Sequence, residues 1–329
     1  MSSPGFDVIG DIHGQLGAFQ ALGRELGYDV EGGWAHPEGR ALVFLGDLVD
    51  RGPHSLEVAE IACDLVARGR ALGVMGNHEY NLVAHRLGIE KEKHSNRATI
   101  ADVAARPDRW GPILDALSGW PVAIELPDLR IIHAVWHLDC VADLRPVLGV
   151  TAPAEAADGD DAPLVRLRRH VALGSPFAGR GFVPGLTIDE ERYGDVPHAV
   201  LMKGYEAEAD APFLDSDGAE RHRVRVTWWA GSRPEIAHDR TTVFGHYWNL
   251  PPQGDAPSFA PPHPSGHPAL RAWQTSHAPQ VPARGRVAVP ATVRHVCIDY
   301  NGVMIGAGRP CVGALRWPER EVAWAVEAP

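Results

Sequence analysis

The chain has 329 residues, 45% hydrophobic and 22% charged, the balance of an ordinary globular protein rather than a disordered or fibrous one. No apolar run approaches the roughly 20 residues that a membrane-spanning helix requires. The opening MSSPGFDVIG lacks the basic start and apolar core of a secretory signal, so a cytoplasmic location is expected. A formal net charge of −11 weighs against general affinity for a nucleic-acid backbone, but not against one phosphate held in a locally positive pocket.

In chain order, residues 6–10 (FDVIG) predict a first strand. Residues 15–26 (QLGAFQALGREL) predict a helix with Leu16, Phe19, Leu22 and Leu26 along one face. A second strand is expected at 41–46 (ALVFLG) and a second helix at 55–69, with Leu56, Ile61, Leu65 and Val66 on one face and Gly69 as its cap. A third strand follows at 71–76 (ALGVMG). This alternation predicts parallel βαβ units, and the continuously apolar strands predict burial on both faces.

Further strands are expected at 129–133, 241–245 and 293–299. Residues 312–317 and 321–326, joined by Pro318, Glu319 and Arg320, predict an antiparallel hairpin. The fold class is therefore α/β, with two packed mixed β-sheets flanked by helices, in a single domain. The irregular stretch 140–235 reads as an inserted cap or lid. Residues 251–290 hold ten of the 28 prolines and read as a surface loop. Four cysteines without CxxC spacing read as reduced, mostly buried thiols.

Chemistry gathers at the strand ends. VIGDIHG sets Asp11 and His13 after the first strand, and FLGDLVDRG sets Asp47, Asp50 and Arg51 after the second. VMGNHEY sets Asn77, His78 and Glu79 after the third, while His133 and His246 end the later two. In open α/β sheets ligands bind beyond the carboxyl ends of the strands. Carboxylates, an amide oxygen and imidazoles together suit manganese, iron, zinc or cobalt better than calcium or magnesium. Six donors exceed what one tetrahedral ion needs and would serve two ions sharing a carboxylate, about 3.5–4 Å apart. Any one of these residues alone would read as a turn, cap or core residue; jointly, in order and each at a strand end, they read as a metal site.

The ordered set D-x-H-G, G-D-x-x-D-R-G and G-N-H-E, followed by two histidines, resembles the calcineurin-like metallophosphoesterase family. The forms are most similar to its branch of serine/threonine protein phosphatases and bacterial diadenosine tetraphosphatases, and VCIDYNGVMIGAGRPCVGALRWPE resembles the end of those enzymes. The resemblance implies two divalent or trivalent transition-metal ions, with manganese expected. Asp11 and His13 would bind the first, Asp47 would bridge both, and Asn77, His133 and His246 would complete the second. His78 would protonate the leaving oxygen, Asp50 would hold its ring, and Arg51 would grip the phosphate. The implied reaction is hydrolysis of a phosphate ester by a metal-bridging hydroxide, with Arg51, Asn77 and His78 meeting the substrate.

Two departures stand out. HAVWHLD replaces the small residues usual after the fourth-strand histidine, so Val135 and Trp136 are expected to crowd the site mouth and His137 rivals His133 as a ligand. GHYW carries Trp248 where more distant members have another histidine. Tyr247, Trp248 and Trp136 read as core packing before base stacking. The basic clusters RLRRH (166–170) and RHRVR (221–225) read as solvated faces before contacts to an extended phosphate substrate. The expected substrate is a phosphorylated small molecule, nucleotide or phosphoprotein, with a phosphatase of the protein-phosphatase type as the main reading. A bis(5'-nucleosyl)-tetraphosphatase is the alternative, and a catalytically silent binding protein the lesser one.

Overall fold

A computed structural model describes residues 5–150, 163–177, 197–214, 220–254, 257–264 and 267–327. Strands β1 (Phe6–Ile9), β2 (Ala41–Phe44) and β3 (Ala71–Gly73) run parallel, joined by helices α1 (Leu16–Leu26) and α2 (Ser55–Ala67). Helices α3 (Asn77–Arg86), α4 (Arg97–Ala105) and α5 (Pro107–Ser118) lead to β4 (Ala123–Glu125) and β5 (Leu129–Ile132). Next come α6 (Leu138–Leu148), α7 (Pro163–Arg169), β6 (Val171–Leu173) and α8 (Pro197–Lys203). A hairpin of β7 (Glu206–Leu214) and β8 (Glu220–Arg225) precedes β9 (Thr241–Phe244) and α9 (Pro268–His277). The chain closes with β10 (Arg284–Ala288), β11 (His295–Cys297), α10 (Gly302–Ala307), β12 (Cys311–Trp317) and β13 (Glu321–Val326).

Six strands form one mixed sheet in the order β10-β13-β12-β1-β2-β3, and five form another, β11-β9-β5-β4-β6. Strand alternation sorts the side chains. Phe6, Val8, Val43 and Leu45 from the first sheet meet Leu129, Ile131, Val243 and Val296 from the second, filling the space between them. Ile9, Leu42 and Phe44, one residue out of step, pack with Phe19 and Leu22 of α1 and Leu56 and Ala59 of α2. Both faces are thus covered, which is why these strands read as unbroken apolar runs. Each fully buried Leu or Phe contributes about 1.5–3 kcal/mol to holding the layers together.

One charge sits inside this framework. Asp7 of β1 is fully buried and accepts bonds from Arg40 Nε (2.9 Å) and Nη2 (2.8 Å), the Tyr28 hydroxyl (2.7 Å) and Arg316 Nε (3.2 Å). Buried charge persists only when paired and hydrogen-bonded in this way.

Two sequence expectations need correcting. Residues 251–290 are not a loop throughout, since α9 and β10 lie within them, β10 pairing with β13. Pro268 occupies the first turn of α9, where no intrahelical bond is lost, and the His267 ring accepts the Ala269 N–H as a cap. Nor is 140–235 wholly a cap, because β6 pairs with β4 at the edge of the second sheet. The β7–β8 hairpin does form a separate two-stranded sheet; residues 151–162, 178–196 and 215–219 of this region lie outside those described. Cys140, Cys297 and Cys311 are buried thiols, and no disulfide forms among the described residues. Among those residues no helix is long and apolar enough to cross a membrane.

Candidate active site

The loops leaving β1, β2, β3, β5 and β9 converge, and their backbone is strained where they meet. Six of the eight non-glycine residues with positive φ among the described residues lie here: His13 (48°), Asp47 (52°), Asp50 (70°), Arg51 (68°), His246 (69°) and Trp248 (48°). Such conformations cost on the order of 1–3 kcal/mol each and persist only where the surroundings impose them. The buried Glu79 carboxylate supplies part of that constraint, accepting the backbone N–H groups of Asp47 (2.7 Å), Leu48 (2.8 Å) and Gly76 (3.2 Å). Close approach explains Gly46, at φ 94°, where a Cβ would stand 2.3 Å from the Gly76 nitrogen. A Cβ on Gly245 would stand 2.0 Å from Asp11 Oδ1.

The imidazoles are held in defined tautomers. His13 Nδ1 donates to the Val49 carbonyl at 2.9 Å, and His133 Nδ1 to the Leu45 carbonyl at 2.8 Å. A carbonyl only accepts, so each ring carries its proton on Nδ1 and turns Nε2 inward. Those Nε2 atoms lie 3.6 Å and 3.3 Å from Asp47 Oδ2. Asp47 belongs to two groups of donor atoms lying within 4.8 Å of one another, one with His13 and His78, the other with His133 and His246. Asp11 uses Oδ2 to accept the His246 N–H at 3.0 Å, leaving Oδ1 buried without a hydrogen-bond partner, as is Asn77 Oδ1.

Electrostatics point the same way. Burial, then the neighbouring Asp299, pushes the Asp11 carboxyl well above the usual range. Burial also works against the Asp47 carboxylate, yet His133 and His78 hold it well below the ordinary value. For His133, burial is outweighed by Asp47 and Asp11, which push the imidazole up to about 10, so a cation at Nε2 would have to displace a proton held there. His13 is lowered by burial and then Arg51, and His246 by burial and then Arg225, so both rings are neutral. Buried carboxylates, orphaned oxygens and neutral imidazole nitrogens facing one point are the donor set of a transition-metal site. Either group, His13, Asp47 and His78 or Asp47, His133 and His246, could hold a cation, and Asp11 and Asn77 add buried oxygens without a hydrogen-bond partner.

Beside this cluster His78 Nδ1 lies 2.5 Å from Asp50 Oδ2, with both side chains buried, and its Nε2 lies 3.8 Å from Asp47 Oδ2. The Arg51 guanidinium stacks over the Trp248 ring, 4.6 Å from its centroid. Trp248 is therefore a wall of the cavity rather than core, whereas Tyr247 and Trp136 are buried as expected. Val135 and Trp136 do not crowd the mouth: both are buried in the core, with Arg130 over the Trp136 ring. His137 belongs to neither donor group, and its Nδ1 accepts the Cys140 N–H at 3.4 Å as the cap of α6.

Sequence reasoning gave no role to Glu79, Asp299 or Asn301, and put phosphate contact second to a solvated face for the cluster that holds Arg225. Asn301 Nδ2 donates to the Asp11 carbonyl (3.1 Å) and to Asp299 Oδ1 (2.9 Å), and Asp299 Oδ2 accepts the Trp248 N–H (2.8 Å). The available signal was DYNG, a polar cluster at another strand end. Arg225 departs most from expectation, because its cluster read as a solvated face. Its guanidinium instead donates to His246 Nε2. A cavity of about 380 Å³ opens beside the cluster, lined by Arg51, Lys93, Lys203, Arg221, Arg223 and Arg225 against only Asp47 and Glu206. An acidic chain thus keeps its cavity strongly basic.

A family model described as calcineurin-like phosphoesterase matches residues 5–153. That segment is similar to the calcineurin-like phosphoesterase family. Asymmetrical bis(5'-nucleosyl)-tetraphosphatases, PrpE, from Halalkalibacterium halodurans and Geobacillus thermodenitrificans are 42% and 46% identical to it over 102 and 103 residues. Those stretches are 30% and 31% of this chain, and the chain spans only 42% of the length of each relative. A solved cold-active protein-tyrosine phosphatase of a psychrophilic Shewanella aligns over 96% of this chain and 78% of its own, at 14% identity and a TM-score of 0.46, a likeness that bears on neither function nor substrate. The calcineurin-like phosphoesterase segment carries every candidate donor except His246; the β8 wall of the cavity lies beyond it.

Proposed function

We propose that this chain is a two-metal hydrolase of phosphate bonds of the calcineurin-like type, acting on a nucleotide that carries several phosphates. One observation carries the reading: Asp47 is shared by two buried donor groups, with the His78–Asp50 pair beside them. Manganese, iron, zinc or cobalt would suit these donors. Bound there, such ions supply Lewis acidity toward phosphoryl oxygens and lower the pKa of water toward neutrality.

The remaining work belongs to the chain. Arg51 would hold phosphate oxygens by charge-assisted bonds, and the Trp248 ring beneath it helps fix where the guanidinium sits. Asp50 accepts from His78 Nδ1 and so orients the ring, leaving Nε2 as the atom that can pass a proton to the leaving oxygen. Glu79 keeps the β2 and β3 loops in register so that Asp47 and His78 stay in reach of one another. The names of the relatives favour a nucleotide over a phosphoprotein, which reverses the order of the two substrate readings taken from sequence.

Activity toward p-nitrophenyl phosphate should vanish on removal of metal and fall at least 100-fold in Asp47→Asn. Full activity in either case refutes the metal reading. A dinucleoside tetraphosphate should be cleaved; unequal products, a nucleoside mono- and triphosphate, would match the asymmetrical relatives, and inertness would remove the nucleotide reading.

A further inference from the structure

We infer that β8 is a specificity strand, with Arg221, Arg223 and Arg225 forming a track for the phosphates beyond the one being cleaved, so that substrate is selected by the length of its phosphate chain. The inference rests on the proposed hydrolase reading and adds the part of the substrate that lies outside the metal cluster. Residues two apart on a strand share a face and recur about every 6.5–7 Å. The three arginines accordingly line the same cavity as Asp47, Arg51, His78 and His246. Arg225 stands at the inner end, against His246, and Arg223 and Arg221 follow along the strand.

Their charges are poorly compensated. Arg223 donates to the backbone carbonyl of Glu206 at 2.7 Å and pairs with no carboxylate among the described residues. Arg221 donates to Glu206 Oε1 at 3.3 Å, the one carboxylate on this side of the cavity among the described residues. Across from them Lys93 is steered by Asn81 (2.7 Å) and Glu90 (3.4 Å). Like charges converging on one space repel unless an anion joins them, and the repulsion is stronger where water is excluded. A phosphate monoester fills only the Arg51 end. A linear oligophosphate supplies negative charge along the whole track, and guanidinium forks suit its oxygens. The chemistry recognised is the phosphate chain itself, whether inorganic or carrying a nucleoside at its far end.

The test compares kcat/KM of the manganese-loaded protein for p-nitrophenyl phosphate, adenosine di-, tri- and tetraphosphate, and inorganic tripolyphosphate, in the wild type, Arg221→Gln/Arg223→Gln and Arg221→Lys/Arg223→Lys. The wild type should favour each added phosphate. The glutamine pair should lower the tetraphosphate-to-p-nitrophenyl-phosphate ratio at least 10-fold, and the lysine pair should restore much of it. A ratio unchanged in the glutamine pair, or a wild type indifferent to phosphate number, overturns the inference. Equal use of tripolyphosphate and nucleotide assigns the track to the bare chain, and stronger use of nucleotide assigns it to a chain with a nucleoside end; both require the length dependence. Should no compound be turned over, the hydrolase reading fails separately. Calorimetric binding then decides: tripolyphosphate must bind at least 10-fold tighter than orthophosphate, and the glutamine pair must abolish the difference.

Discussion

Asp50→Asn removes one charge at the proposed acid while leaving the backbone's demands intact. Asp50 sits at φ 70°, a left-handed conformation that asparagine tolerates almost as readily. Its carboxylate lies 2.5 Å from His78 Nδ1, and neither side chain is more than 6% exposed, so water cannot replace the lost interaction. A hydrogen bond to a charged group contributes about 1.5–3 kcal/mol, which corresponds to a loss of roughly 10- to 150-fold in turnover. The loss should be full for alkyl phosphates, whose leaving oxygen needs a proton, and small for p-nitrophenyl phosphate. Initial rates for both substrates, with metal content measured alongside, would be taken for Asp50→Asn, His78→Asn and the double variant. Because Asp50 acts through His78, the double variant should be no more than about 3-fold slower than His78→Asn alone. Losses that multiply, or that fall equally on both substrates, would refute the reasoning.

Three further outcomes are expected. Arg51→Ala should raise KM for p-nitrophenyl phosphate about 10-fold or more with metal content unchanged by elemental analysis; loss of metal would mean that the arginine supports the cluster instead. Arg40→Met strands the buried Asp7 with only Tyr28 and Arg316, and should destabilise the fold by about 3 kcal/mol in denaturant titrations, a cost under 1 kcal/mol counting against that role. His295 is held down to about 4 by burial, His238 and Arg294. The unfolded chain, titrating near 6.5, takes up the proton first as pH falls, so stability should drop by up to roughly 3 kcal/mol between about pH 6.5 and 4. His295→Gln should flatten that limb of the melting-temperature profile; an identical profile would dismiss the histidine as its source.

The parts legible in the sequence are those in which a residue's place follows from its own neighbours. Asp11, Asp47 and Asn77 each come within four residues of the end of a short apolar strand, so locating the strand locates the side chain. The sandwich was likewise visible in strands apolar on both faces and in the closing hairpin. Residue Arg225 was not, because nothing within RHRVR tells which face of β8 meets His246; that is set by how the hairpin docks. Helix α9 was hidden by prolines, although Pro268 followed by Leu270 and Gln274 was a readable start. Val135 and Trp136 misled because the chain turns inward after β5, where both backbone N–H groups flanking the turn, Ala134 and Val135, donate to the Leu201 carbonyl of α8.

The left-handed residues around the cluster carry a consequence for mutational experiments. Elsewhere in a folded chain, exchanging a side chain for glycine costs backbone entropy and lowers the melting point. At positions such as Arg51 and Trp248 the sign of the backbone contribution reverses, because glycine relaxes the left-handed turn while alanine keeps its strain. A glycine-versus-alanine stability screen, run with no substrate and no metal, would thus outline the active centre from thermal data alone. Selection for heat tolerance by itself would wear that centre away first.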